Sequence, residues 1–108
     1  DDYANYFQAV TGEAISAADF LTIADRIETL IRMFNLREGF TRKDDTLPYR
    51  TLFEPLPDGP AKGQSIGEEN LNRMIDDYYA CRGWDSKGVP TEATLRKYAL
   101  WREADKMA

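Results

Sequence analysis

Apolar residues recur at spacings of three and four along most of this chain and lose that spacing over one internal stretch. Tyr3, Phe7 and Val10 mark a short helix over Asp2–Val10, with acids at the end the helix dipole favours and Thr11-Gly12 as its stop. The next segment has the clearest pattern. Ser16 reads as an N-cap with Asp19 three residues on, and Phe20, Ile23, Ala24, Ile27, Leu30, Ile31 and Phe34 follow on one predicted buried face, with Gly39 as the stop. Helical spacing returns at Ser65, where Ser-Ile-Gly-Glu resembles a capping box. Leu71, Met74, Ile75 and Tyr78 then predict an apolar stripe that ends at Gly83. After the turn "GWDSKGVP", Thr91 predicts the cap of a final helix that buries Leu95, Tyr98 and Ala99, with Leu100 or Trp101 on its edge. The last few residues are expected to fray.

Between Thr41 and Gln64 the pattern fails. Pro48, Pro55, Pro57 and Pro60 fix their own backbone angles and push each preceding residue toward extended conformations, so no helix is predicted there. A free linker would be polar or glycine-rich, yet Leu47, Tyr49, Leu52, Phe53 and Leu56 are interleaved with the prolines. The stretch is therefore expected to be an ordered wrap over the helices. The predicted fold class is all-α, a multihelical orthogonal array of about four helices with a long extended proline-rich connection over residues 41–64. Residues 1–108 are expected to form a single domain.

Composition narrows the function. An apolar content of 43% argues for a packed core rather than disorder, and a net charge of -5 with both signs mixed gives no basic surface for a nucleic acid. No apolar run reaches the ~20 residues needed to span a bilayer, and the first residues lack the basic region of a signal peptide, so no membrane partner and a cytoplasmic location are expected. With no histidine, Ser-His and Cys-His catalysis within this chain is excluded. The single cysteine, Cys81, can form no internal disulfide and cannot by itself hold zinc or an iron–sulfur cluster. The chain starts at Asp1 rather than methionine, which fits a piece of a longer protein.

Three sites invite a chemical reading. Asp44 and Asp45 form a candidate acid pair, but Arg42 and Lys43 beside them favour salt bridging. "GPAKGQ", Gly59 to Gln64, lacks the spacing of a phosphate-binding loop. "DDYYACRGW", Asp76 to Trp84, suggests redox chemistry, yet Tyr78 and Cys81 read better as core packing, with Arg82 complementing a helix dipole.

Taken together, the motifs resemble a family. "LIRMFNLREGFTRKDDTLPYRTLFEPLPDGPAKGQ", Leu30 to Gln64, and "MIDDYYACRGWDSKGVPT", Met74 to Thr91, resemble the C-terminal end of the tungsten-containing aldehyde ferredoxin oxidoreductase family. The resemblance rests on Phe34-Asn35 with Arg37-Glu38-Gly39, Asp44-Asp45 with Leu47-Pro48 and Arg50, Glu54-Pro55-Leu56-Pro57, and Tyr78-Tyr79 with Arg82-Gly83-Trp84-Asp85.

The resemblance implies a C-terminal helical piece of an enzyme that oxidises aldehydes to carboxylates and passes electrons to ferredoxin. The full-length cofactors would be tungsten held by two molybdopterin-type dithiolenes (tungstopterin) and one [4Fe-4S] cluster. Their ligands precede the region matched, so the resemblance assigns no catalytic, cofactor-binding or metal residue here, and Cys81 does not fall on a cluster ligand. The expected role is structural: packing on the N-terminal and middle domains of the same enzyme and walling the substrate channel, with a homodimer also compatible. Arg37, Glu38, Asp44, Asp45 and Arg50 are the residues expected nearest the site or a domain interface. Two other readings stay open. One is a stand-alone interaction module using the proline-rich segment, and the other is a small independent enzyme using the acid pair.

Overall fold

Ser16 caps the longest helix as its sequence predicts, accepting from the Asp19 amide at 3.1 Å while its hydroxyl donates to the Asp19 carboxylate at 2.6 Å. The computed structural model describes residues 2–105, so the fraying expected of the last residues, 106–108, lies outside the described ones. The order is α1 (Asp2–Thr11), α2 (Ala17–Arg37), a 3₁₀ turn (Arg42–Asp44), α3 (Tyr49–Phe53), α4 (Glu68–Arg82), α5 (Glu92–Lys97) and α6 (Trp101–Asp105). The fold is all-α, and an isolated bridge between Trp84 and Pro90 is the one extended pairing among the described residues.

Among the described residues six helices replace the roughly four expected, and the two additions have local causes. Helix α3 starts immediately after Pro48, whose fixed φ suits a helix start and whose missing N–H is not needed there. The expectation of no helix between Thr41 and Gln64 is thus corrected. The second addition comes from splitting the C-terminal helix. Ala99 adopts φ 54°, the one positive φ among the described non-glycine residues, and breaks the segment between α5 and α6. Leu100 is thereby turned fully inward, where the sequence placed it on a helix edge. Helix α4 begins later than the expected capping box. Gly67, at φ 73°, is its N-cap without a side-chain bond, and the Gly67 amide donates to the Leu52 carbonyl at 2.9 Å.

The proline-rich connection is ordered. The Leu56 amide donates to the Gln64 carbonyl at 3.0 Å and the Gly63 amide to the Leu56 carbonyl at 2.9 Å, closing residues 56–64 on themselves. Leu52 is buried while Tyr49, Phe53 and Leu56 stay exposed.

Two packed clusters flank α2. On one side Met33 meets Tyr98 and Leu100, with Leu30 and Leu95 against them. On the other, Arg32 lies among Tyr79, Trp84 and Gly88. Helix α1 reaches α2 through an edge-on contact of Phe7 and Phe20, their centroids 6.0 Å apart. The chain is flat, 50 × 38 × 20 Å, with a radius of gyration of 18.0 Å, against about 13 Å for a compact domain of this length.

Gly83 closes α4 in the left-handed conformation, as its position predicts. Its carbonyl accepts from the hydroxyls of Thr91 (2.9 Å) and Thr94 (2.7 Å), tying the end of α4 to the start of α5. A Cβ here would collide with the Thr94 hydroxyl. Gly83→Ala is expected to cost more than the roughly 1–2 kcal/mol of left-handed strain alone. Faster amide exchange across α5 than in the parent protein checks this.

Candidate functional site

Arg32 sits in the α2 run Ile31-Arg32-Met33 on the side of the buried Thr29, and its side chain keeps only 9% of its surface open. Its Nε donates to the Gly88 carbonyl at 2.9 Å, Nη1 to Asp45 at 2.9 Å and Nη2 to the Tyr79 hydroxyl at 3.1 Å. Nη2 also lies 2.8 Å from the second Asp45 oxygen, making the ion pair two-pronged. The Tyr79 hydroxyl donates to Asp45, and the Arg32 guanidinium lies 5.5 Å from the Tyr79 ring centre and 5.4 Å from that of Trp84. Burial alone would lower the Arg32 pKa, but the hydrogen bond and charge of Asp45 outweigh it and raise it. Burial, followed by the bond to Asp45, also raises the Tyr79 phenol, which therefore stays a donor at neutral pH. Chemically this network is an interlock. Each charge is matched, and the one unmet polar atom near it is the buried Trp84 Nε1.

The sequence-predicted set is dispersed among local partners. Arg37 and Glu38 pair with each other at 2.9 Å on the exposed end of α2, and Arg50 pairs with Glu54 at 3.1 Å. Asp44 turns back to the Thr41 amide at 2.7 Å and caps the 3₁₀ turn, whereas Asp45 points to Arg32. The adjacent acids therefore do different jobs. A cleft of about 370 Å³ between α2 and α4 has Asp45 and Arg32 at its floor and Ile31, Met74 and Tyr78 at its mouth.

The reading of "DDYYACRGW" needs correction. Tyr79, not Tyr78, is the buried tyrosine, and Cys81 is exposed rather than a core residue. The face of α4 that is covered is the one whose hydroxyl finds Asp45 and Arg32. Arg82 does more than complement the dipole, because it forms an ion pair with Asp25 of α2. Arg32 and Gly88 went unnoticed in the sequence. The signal available was an arginine flanked by apolar residues in the most regular helix.

The carboxyl of Asp44 is held below its ordinary range by the Thr41 amide and hydroxyl, and that of Asp85 by the Val89 amide, with the Lys87 amide adding to it. Depressed folded-state values mean that these turns are stabilised above the unfolded carboxylate pKa of about 3.9. That contribution is lost as pH falls through the lower folded values. Acidification below the usual carboxylate range is expected to lower the protection of the Thr41 and Val89 amides relative to their intrinsic exchange rates, and protection that persists unchanged well below that range would contradict the assignment.

Donors for a metal are sparse. Among the described residues no three His, Cys, Asp or Glu side chains gather as a ligand set, and the chain has one cysteine and no histidine. One cysteine does not fit a four-cysteine cluster, and no step is assigned through one.

Residues 1–100 match the family profile described as aldehyde ferredoxin oxidoreductase, domains 2 and 3. The chain belongs to the aldehyde ferredoxin oxidoreductase family. It is 41% identical over 101 residues to a tungsten-containing aldehyde ferredoxin oxidoreductase of Pyrococcus abyssi, covering 93% of this chain and 16% of the relative. The corresponding protein of Thermococcus kodakarensis is 43% identical over 94 residues, covering 85% of this chain and 15% of the relative. The match to an aliphatic sulfonate oxidoreductase, WOR-like subunit, of Pyrococcus furiosus is shorter, at 39% identity over 59 residues, or 55% of this chain and 9% of the relative. The chain thus spans about a sixth of the length of the aldehyde oxidoreductases it matches. Within the family assignment, the Arg32–Asp45–Tyr79 interlock joins the Asp44-Asp45 and Tyr78-Tyr79 motifs, which lie far apart in sequence.

Proposed function

We propose that this chain is the C-terminal helical portion of a tungsten-dependent aldehyde oxidoreductase and that residues 1–108 fold as one structural unit within it. The observation that carries this reading is the 41% identity to a tungsten-containing aldehyde ferredoxin oxidoreductase over 93% of the chain. The full-length enzyme would convert an aldehyde and water to a carboxylate, with tungstopterin and one [4Fe-4S] cluster on its other domains and ferredoxin accepting the electrons in the cytoplasm. The role of this chain is to pack on those domains, exclude water and wall the substrate channel. The large apolar surface left open on several helices supports that division of labour.

Arg37, Glu38 and Arg50 are exposed and partnered only with neighbours in sequence, which suits residues at a domain interface. Asp44 and Asp45 contribute by holding the turn between α2 and α3. The test is aldehyde-dependent reduction of a viologen dye by the full-length polypeptide, produced without oxygen and with tungstate. Turnover is expected for the whole polypeptide and none for residues 1–108 alone. A folded full-length preparation that reduces no dye with any of a panel of aliphatic and aromatic aldehydes would overturn the proposal.

A further inference from the structure

Ile23, Ile27, Ile31 and Phe34 follow one another along α2 at spacings of four, four and three, the stagger of a helix-packing seam. The sequence predicts this stripe to be core, yet the four residues are 48%, 50%, 48% and 48% exposed, because the C-terminal segment covers the adjacent flank of the helix that carries Leu30 and Met33. The stripe meets the cleft between α2 and α4 at Ile31, and across that cleft Met74 and Tyr78 of α4 are also exposed. The two helices are bridged by polar contacts, Arg32 to Tyr79 and Arg82 to Asp25, rather than by apolar packing. The cleft's lining also includes Glu28, whose charge acts on Arg82, and Asn35.

We infer that this stripe, continuous with the cleft at Ile31, seats an apolar helix supplied by the remainder of the same polypeptide. The inference rests on the reading that the chain is part of a longer enzyme. Three observations select that occupant over a second copy. Most of the length of the Pyrococcus abyssi relative lies outside the match. Apolar side chains are exposed on α1 (Tyr3, Val10) and α3 (Tyr49) as well as on the seam, more separate faces than one isologous contact between copies can cover. The flat shape of the chain agrees with a piece enclosed by a larger body.

Hydroxyl-radical footprinting of the native full-length polypeptide tests the seam without any substitution. Ile27, Ile31, Phe34 and Met74 are expected to react at roughly a tenth of the rate of the same residues in short peptides, as the dry core of an interface would. A photo-crosslinking benzoylphenylalanine placed at Ile27, and separately at Ile31, then identifies the occupant. Adducts to a helical segment of the same polypeptide outside residues 1–108 are expected. Peptide-like reactivity at the seam, or adducts to a second copy or to another protein, would overturn the inference. Footprinting and crosslinking do not depend on metal loading. A preparation without aldehyde turnover would therefore sink the enzyme reading while leaving the seam result readable.

Discussion

Replacing Arg32 by methionine is expected to cost about 3 kcal/mol of local stability, at the low end of the roughly 3–5 kcal/mol typical when one partner of a buried ion pair is removed. The low end applies because the Asp45 side chain keeps 31% of its surface open, so the stranded carboxylate is partly rehydrated. Methionine preserves most of the apolar stem but leaves the Gly88 carbonyl and the Tyr79 hydroxyl short of a donor. The loss should be spread over α2, the Thr41–Asp45 turn and the Trp84–Val89 loop, since all three converge on this one guanidinium. Hydrogen exchange of those segments in the parent protein checks the size and the spread. An effect confined to α2 would show that the interlock does not couple the three segments. Gly88 has a related constraint, since a Cβ at its φ of 77° would fall 2.7 Å from the Tyr79 ring.

The second large effect is expected at Leu100. It is fully buried and, with Met33 and Tyr98, forms the other packed cluster. Leu100→Ala should cost about 3 kcal/mol, within the roughly 2–5 kcal/mol range for deleting a buried leucine. The cavity can collapse only in part, because the neighbouring backbone is pinned. The Arg26 Nε donates to the Tyr98 carbonyl at 3.0 Å, and the Leu100 amide donates to the Leu95 carbonyl at 2.8 Å. Thermal unfolding followed alongside Trp101→Ala separates packing from general disruption of the tail. Trp101 is 43% exposed, and its loss should matter far less.

Local signals in the sequence placed the elements well where the physics is local. Ser16 and Thr91 cap the helices they were expected to cap, and Gly83 ends α4. Errors arose where a tertiary contact decides the outcome. The Gly67 amide is taken up by the Leu52 carbonyl, so α4 starts after Gly67 rather than at Ser65. Ala99 accepts a left-handed φ because burying Leu100 against Met33 offsets the strain. The stripe Ile23, Ile27, Ile31 and Phe34 was legible as apolar, but spacing cannot say which part of a longer polypeptide covers it.

The interlock was the least legible feature. Arg32 meets Asp45 thirteen residues away, Tyr79 forty-seven away and Gly88 fifty-six away. No single motif contains the pairings, although the family-like motifs contain Asp45 and Tyr79 separately. An acid pair that reads as candidate chemistry thus resolves into one capping carboxylate and one counter-ion.

Metal analysis tests the central claim most directly. The full-length polypeptide, purified without oxygen after growth with tungstate, is expected to hold tungsten and iron, while residues 1–108 produced and treated in the same way retain neither. A folded full-length protein that binds no tungsten, or residues 1–108 that bind it alone, would contradict the account.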